Sequence, residues 1–215
     1  ESSGGQIVAM TSFARDRAAM PAAARQVTNY DERLRKAGAA ARRPDGTIAP
    51  VASALGPVAF QALLVADSGV IAGGFAPLLA RYGATPGSYL MLGTELWNTE
   101  PNLKTLPALR GAIFASVPDD RFRAMADRYR ARFGSTPSRL ASLSYDAMLL
   151  AASADASGWK LAEPFPGAML ADPKGFAGID GIFRFEANVA VRGLQVQQIG
   201  AAGFTTLSPA PRSFD

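Results

Sequence analysis

Between residues 60 and 117 the chain alternates short, unbroken apolar runs with a helical pattern, and this alternation restricts the fold more than any other feature. The run FQALLVADSG (60–69) lacks the every-second-residue polarity of a half-exposed strand. It therefore predicts a parallel strand buried on both faces, feeding a turn. Phe75, Leu78, Leu79 and Tyr82 follow at i, i+3, i+4 and i+7, one face of a helix, and Gly83 ends it. SYLMLGTELW (88–97) and LRGAIFASVP (109–118) predict two further buried strands, the second closed by Pro118. Strands that alternate with helices indicate an α/β layer with a mostly parallel sheet.

The flanking regions extend this pattern. Residues 6–10 read as a short buried strand. Residues 20–41 read as one helix, with Val27, Tyr30 and Leu34 at spacings of three and four and Pro21 in the first turn. RRPDGTIAPVASALGP (42–57) reads as a long loop. Asp119 stands where a helix cap is needed, ahead of Phe122, Met125, Tyr129 and Phe133, and Gly134 stops that helix. Leu140, Leu143, Ala147, Leu150, Ala151 and Ala154 mark a second helix, apolar round much of its circumference and so expected to pack on several sides. Strands are predicted at 181–186 and 191–199, with EANVAV as the turn. No internal repeat is present.

Charge and composition exclude several functions. The net charge is +4 with a pI near 9.7, but Arg42-Arg43 is isolated and the arginines from Arg121 to Arg132 are interleaved with acids at helical spacing. That is a solvated helix face, and no zinc pattern or aromatic–basic motif accompanies it, so nucleic-acid binding is not expected. The chain has no Cys and no His. Disulfides, thiolate nucleophiles, Ser-His-Asp triads and imidazole bases are thereby excluded, and neither enzymatic activity nor a cofactor is expected. No run of 18 apolar residues occurs, so no membrane-spanning helix is expected. No signal segment opens the chain and its first residue is Glu1, so a mature or truncated start is expected.

Two motifs carry a resemblance. SLSYDAMLLAASA (142–154) is similar to the Tyr-Asp-Ala helix of the type I periplasmic binding proteins, and GFAGIDGIFRFEANVAVRGLQV (175–196) is similar to their Gly-x-x-Gly-x-x-Gly-x-Phe-x-Phe stretch with its following hairpin. In this order the chain resembles the Leu/Ile/Val-binding proteins of ABC transporters over residues 58–213, and more weakly over 6–37. It looks closest to the penicillin-binding-protein activator lipoproteins. The resemblance implies an α/β fold of type I periplasmic-binding-protein-like lobes with a mostly parallel sheet, truncated at the N-terminus and lacking the first half of lobe one. Residues 1–117 would form most of lobe two, 118–180 the helices returning to lobe one, and 181–215 a C-terminal hairpin and tail near the hinge. It also implies a periplasmic location. The implied partners are a small polar solute such as an amino acid held between lobes, and an ABC permease or a peptidoglycan synthase. Helices left bare by the missing half would favour an oligomer or a bound N-terminal fragment. In this frame GFAGIDGIFRF is a joint rather than a lid.

Candidate ligand-binding residues lie at strand ends, where open α/β sheets bind ligands. Asp67, Ser68 and Gly69 could hold a polar or carboxylate group at a helix N-terminus, or form an ordinary cap. The resemblance places Glu95 where amino-acid binders carry an acid for the ligand ammonium, with Trp97 as an apolar wall; the alternative is a solvated Glu and a buried Trp. Tyr145, with Asp146, opens the crossover helix and would lie near the cleft, or serve as a structural hydrogen bond. Asp31-Glu32 and Asp119-Asp120 are adjacent acids, which do not face each other on a helix, so a glycosidase-type pair is not expected.

Overall fold

The computed structural model of the chain describes residues 4–16, 18–40 and 55–214. Arg42, Arg43 and most of the loop expected over 42–57 lie outside the described residues. The chain divides into two compact units. Unit 1 comprises Glu1–Phe114 and Gln198–Phe204, unit 2 Ala115–Gln197 and Thr205–Asp215, so the chain passes between them three times.

Unit 1 is organised by parallel strand pairing. Strand β1 (Ala62–Leu64) pairs with β2 (Leu90–Gly93) in register Leu63↔Met91, and β2 pairs with β3 (Ile113–Ser116) in register Leu92↔Ile113. Strands β7 (Gln195–Ile199) and β8 (Phe204–Ser208), which straddle the boundary between the units, follow in the strand order β1-β2-β3-β7-β8. The Ile199 N–H donates to the Ala112 carbonyl, which joins β7 to the start of β3. The core is supplied by α1 (Met20–Val27) and α3 (Gly69–Arg81), through Met20, Ala23, Ala24, Ala72, Phe75 and Leu79. Phe114, Ile199 and Trp97 join them.

Four expectations for this unit are corrected. The segment 60–69 is a strand only over Ala62–Leu64, and it is not buried on both faces. Successive side chains alternate across a strand, so Leu63 faces the core while Leu64, pointing the other way, is 59% exposed. Residues 6–10 form no strand; Ile7 and Met10 are exposed, and no strand among the described residues bonds to them. The single helix over 20–41 is two, α1 and α2 (Tyr30–Ala40). Thr28 turns its hydroxyl back onto the Ala24 carbonyl and Asn29 adopts a left-handed φ of 47°, which stops one helix and re-aims the next. The strand expected over 88–97 ends at Gly93. Beyond it the chain winds through short 3-10 turns, Glu95–Thr99, Pro101–Thr105 and Pro107–Leu109, two of them opened by proline.

One arginine ties the ends of these elements together. The half-buried Arg33 guanidinium donates to the carbonyls of Thr28, Gly56, Tyr82 and Gly83, that is, to the chain leaving α1, the chain leading towards β1 and the chain leaving α3. Helix ends carry unsatisfied carbonyls, and a fork of donors suits several at once.

Unit 2 contains α4 (Asp120–Phe133), α5 (Ala141–Ala156), the short α6 (Gly167–Leu170) and an antiparallel sheet. Its strands are β4 (Phe176–Gly178), β5 (Gly181–Glu186) and β6 (Val189–Arg192), in the order β4-β5-β6. GFAGIDGIFRF is thus a hairpin, with Phe176 opposite Phe183 and Gly178 opposite Gly181. Ala187 and Asn188, both left-handed at φ 48° and 65°, make the tight turn into β6. The stretch 191–199 is not one strand but the end of β6 and the whole of β7.

Two helix expectations are also corrected. Asp119 does not cap α4 with its side chain; its carboxylate stands 3.5 Å from Arg139 instead. Helix α5 is not packed on several sides. It buries Ser142, Asp146 and Ala154, and leaves Leu143, Met148 and Leu149 exposed. The buried residues include its polar ones because they serve the β4–β5 hairpin. Asp146 accepts the Ile179 N–H at 2.6 Å, and the Ser142 hydroxyl donates to Asp180 at 2.6 Å. Arg139 and Arg192 close on the same buried Asp180 at 2.6 and 3.2 Å.

Candidate functional site

The carboxyl end of β1 leads through Val65, whose N–H bonds the Leu92 carbonyl, to Asp67. Ser68 follows as the N-cap of α3, its hydroxyl accepting the Ile71 N–H at 3.3 Å. This is the sequence-predicted trio Asp67, Ser68 and Gly69, and the structure fills it with the protein's own groups. The Asp67 carboxylate is 7% exposed, accepts the Ser68 N–H at 2.7 Å and receives Arg15 Nε at 3.0 Å. The free N–H groups of Gly69 and Val70 are both taken by the Glu100 carboxylate, at 2.8 and 2.9 Å. One carboxylate thus spans two adjacent amides at the positive end of α3, the arrangement by which helix starts hold anions.

Local sequence explains how Glu100 reaches this point. It stands between two 3-10 turns, and Leu103 packs so closely over Gly69 that any Cβ there would strike its side chain. Trp97 fixes the other side. It is fully buried, tilts against Phe114 with ring centroids 5.9 Å apart, and donates from Nε1 to the Asp67 carbonyl at 2.9 Å. Its ring lies against Gly93, where a Cβ would collide with the indole.

The structure therefore brings Asp67, Ser68, Gly69 and Trp97 together, and adds Arg15 and Glu100. Glu95 stands two residues ahead of Trp97 with its side chain exposed. Tyr145 belongs to unit 2 and is 39% exposed on α5, where its neighbour Asp146 makes the structural bonds. Sequence reasoning missed Arg15 and Glu100. Arg15 lies 52 residues from its partner and Glu100 some 30 from its own, and no local spacing links them. The one available signal was arithmetic: a nearly buried Asp67 needs a cation, and a helix start without an acid in its first turn needs a carboxylate from elsewhere.

No protein-family model matches the chain. No curated relative matches it either. Solved structures similar to it include ABC-transporter solute-binding proteins and LpoA. One is a branched-chain amino acid ABC transporter periplasmic ligand-binding protein from Burkholderia xenovorans, at 18% identity and a TM-score of 0.48, covering 69% of this chain and 43% of that one. Another is the leucine binding protein LivK from Thermotoga maritima, at 17% identity and a TM-score of 0.43, covering 69% and 44%. A third is LpoA from Haemophilus influenzae, at 16% identity and a TM-score of 0.44, covering 69% and 26%. The chain spans between a quarter and a half of the length of these proteins.

Proposed function

We propose that the chain is part of a non-catalytic, extracytoplasmic solute-binding protein of the Leu/Ile/Val-binding class, acting with an ABC-type transporter. The single observation that carries this reading is the strand end of β1. There the start of α3 holds a carboxylate, that of the chain's own Glu100, which a ligand carboxylate would have to displace, and Asp67 is fixed beside it by Arg15. In this reading residues 1–117 belong to the second lobe, 118–180 return to the first, and 181–215 lie near the hinge. The ligand is a small polar solute such as an amino acid. Asp67, Ser68 and Gly69 form its polar floor, Glu95 meets its cationic group, Trp97 supports the floor from beneath, and Tyr145 comes from the other lobe. Binding would close a cleft by hinge motion, with no bond made or broken.

The test is calorimetry and thermal shift on the intact protein with amino acids and aromatic carboxylates. Saturable heat with at least one of them, weakened about tenfold or more by Glu95→Ala, is the expected result. Silence across the whole set, in both measurements, overturns the reading.

A second reading is favoured by one observation, the large apolar side chains that α4 and α5 leave open, with Phe133 at 60%, Leu140 at 71% and Met148 at 69%. In it the protein regulates peptidoglycan synthesis by contact with a synthase, in the manner of a penicillin-binding-protein activator. Co-purification with a synthase from envelope extract, lost on Met148→Lys, would support it; a synthase recovered equally by both proteins would not.

A further inference from the structure

At the opposite ends of the same strands, unit 1 has a cleft of about 400 Å³. Its walls come from Gln61, just before β1, from Pro86 to Met91 leading into β2, and from Arg110 and Gly111 leading into β3. This is the amino end of the sheet, away from Asp67 and Glu100. Three of its lining polar side chains have no hydrogen-bond or ion-pair partner among the described residues. They are the Gln61 amide, the Tyr89 hydroxyl and the Arg110 guanidinium. Arg110 is distinctive, because most other arginines of unit 1 are committed: Arg15 to Asp67, Arg25 to Asp31, Arg33 to four carbonyls and Arg35 to Glu32.

The rest of the lining is apolar or backbone. Tyr89 stands edge-on to Phe60 with ring centroids 5.7 Å apart, which fixes its plane, and burial pushes its phenol above the ordinary value, so it remains a hydroxyl donor at neutral pH. Met91 is buried and Leu90 is 40% exposed. Gly87 and Gly111 both have left-handed φ, at +87° and +84°, and a Cβ on either would meet open space. Backbone sign, not crowding, requires glycine at both, and the consequence is two low walls on a cleft of ligand size.

We propose that this cleft binds a small carboxylate with a flat apolar body. Arg110 takes the carboxylate, since a planar fork of donors matches a planar pair of acceptors, and Tyr89 and the exposed face of Leu90 take the body. An exposed ion pair alone contributes little, so both halves of the ligand are needed. The site is independent of the solute-binding reading and remains if that reading fails.

The probe is 2-naphthoate, with neutral 2-naphthamide as its uncharged match. Binding to the intact chain is followed by the probe's fluorescence and by backbone amide shifts. The expected result is saturation with a Kd of about 1 mM or below, weakened roughly tenfold in Arg110→Gln and for the amide, with shifts centred on Ser88–Met91 and Gly111. Because Arg110 is exposed and makes no side-chain bond, circular dichroism should show Arg110→Gln folded as the parent. Absence of saturation, affinity unchanged in Arg110→Gln, or shifts centred on Ser68–Val70 would each overturn the proposal.

Discussion

Glu100 does at long range what a first-turn acid does in most helices. Helix α3 has no acidic residue in its first turn, yet two of its free amides end on one carboxylate. Replacing that carboxylate with methyl leaves a partly buried donor at Gly69, an exposed one at Val70 and an uncompensated helix start. Glu100→Ala is therefore expected to cost about 1–3 kcal/mol, measured as a lower denaturant midpoint at unchanged m. An unaltered midpoint would mean that water replaces Glu100 without loss. The same residue shows what sequence could and could not give. Ser68 as the helix cap was legible from local chemistry, as was glycine at 69; the acid that completes them was not, because its partner lies some 30 residues away and is set by tertiary packing.

At the scale of elements, apolar periodicity located α3, α4 and α5 well, because each has a strong pattern over three or more turns. It placed the face of α3 on the core, as found, and misjudged what the faces of α5 and the outer end of α4 meet. Helix α5 turns Ser142 and Asp146 inward, since a hairpin with bare amides at Ile179 and Asp180 needs acceptors more than it needs methyl groups. The break between α1 and α2 was hidden for a different reason: a left-handed Asn29 leaves the spacing of Val27, Tyr30 and Leu34 intact. Helix α2 carries its own titration signature. Hydrogen bonds from Arg35, and after it Lys36, hold the Glu32 carboxyl down at about 2 from an ordinary 4.5. A depressed acid stabilises the folded helix fully above its unfolded value and loses that contribution as pH falls through the folded one. The support from Glu32 is thus expected intact above pH 4.5 and lost on the way down to about 2. Carboxyl-carbon NMR should place the Glu32 midpoint well below that of an unpaired glutamate. Added salt should raise it, because the group is on the surface.

At the scale of the whole molecule, the parallel pairing of β1, β2 and β3 was legible because apolar runs alternate with a helical pattern, while strand lengths and burial were not, because runs such as 88–97 continue into turns and β1 buries only one face. Both units leave large apolar side chains exposed, Ile7, Met10, Leu64 and Val70 among those of unit 1. Unit 1 gathers Trp97, Leu103, Leu109 and Phe114 into one interior. Unit 2 leaves Tyr129, Phe133, Leu140, Leu143, Met148 and Leu149 between 36% and 71% exposed. Side chains of that size add up to several hundred Å² of apolar surface, at the upper limit of what a soluble monomer usually shows. Tyr129 and Phe133 lie against each other, 4.6 Å between ring centroids, so the outer end of α4 presents a paired aromatic surface. A dye that fluoresces on apolar surfaces should therefore bind the folded protein. Phe133→Lys with Met148→Lys should remove most of that signal while changing the melting temperature little, because neither side chain is part of a core. A large fall in melting temperature instead would show that these residues are buried in solution, and the account of α4 and α5 as open helices would have to be given up.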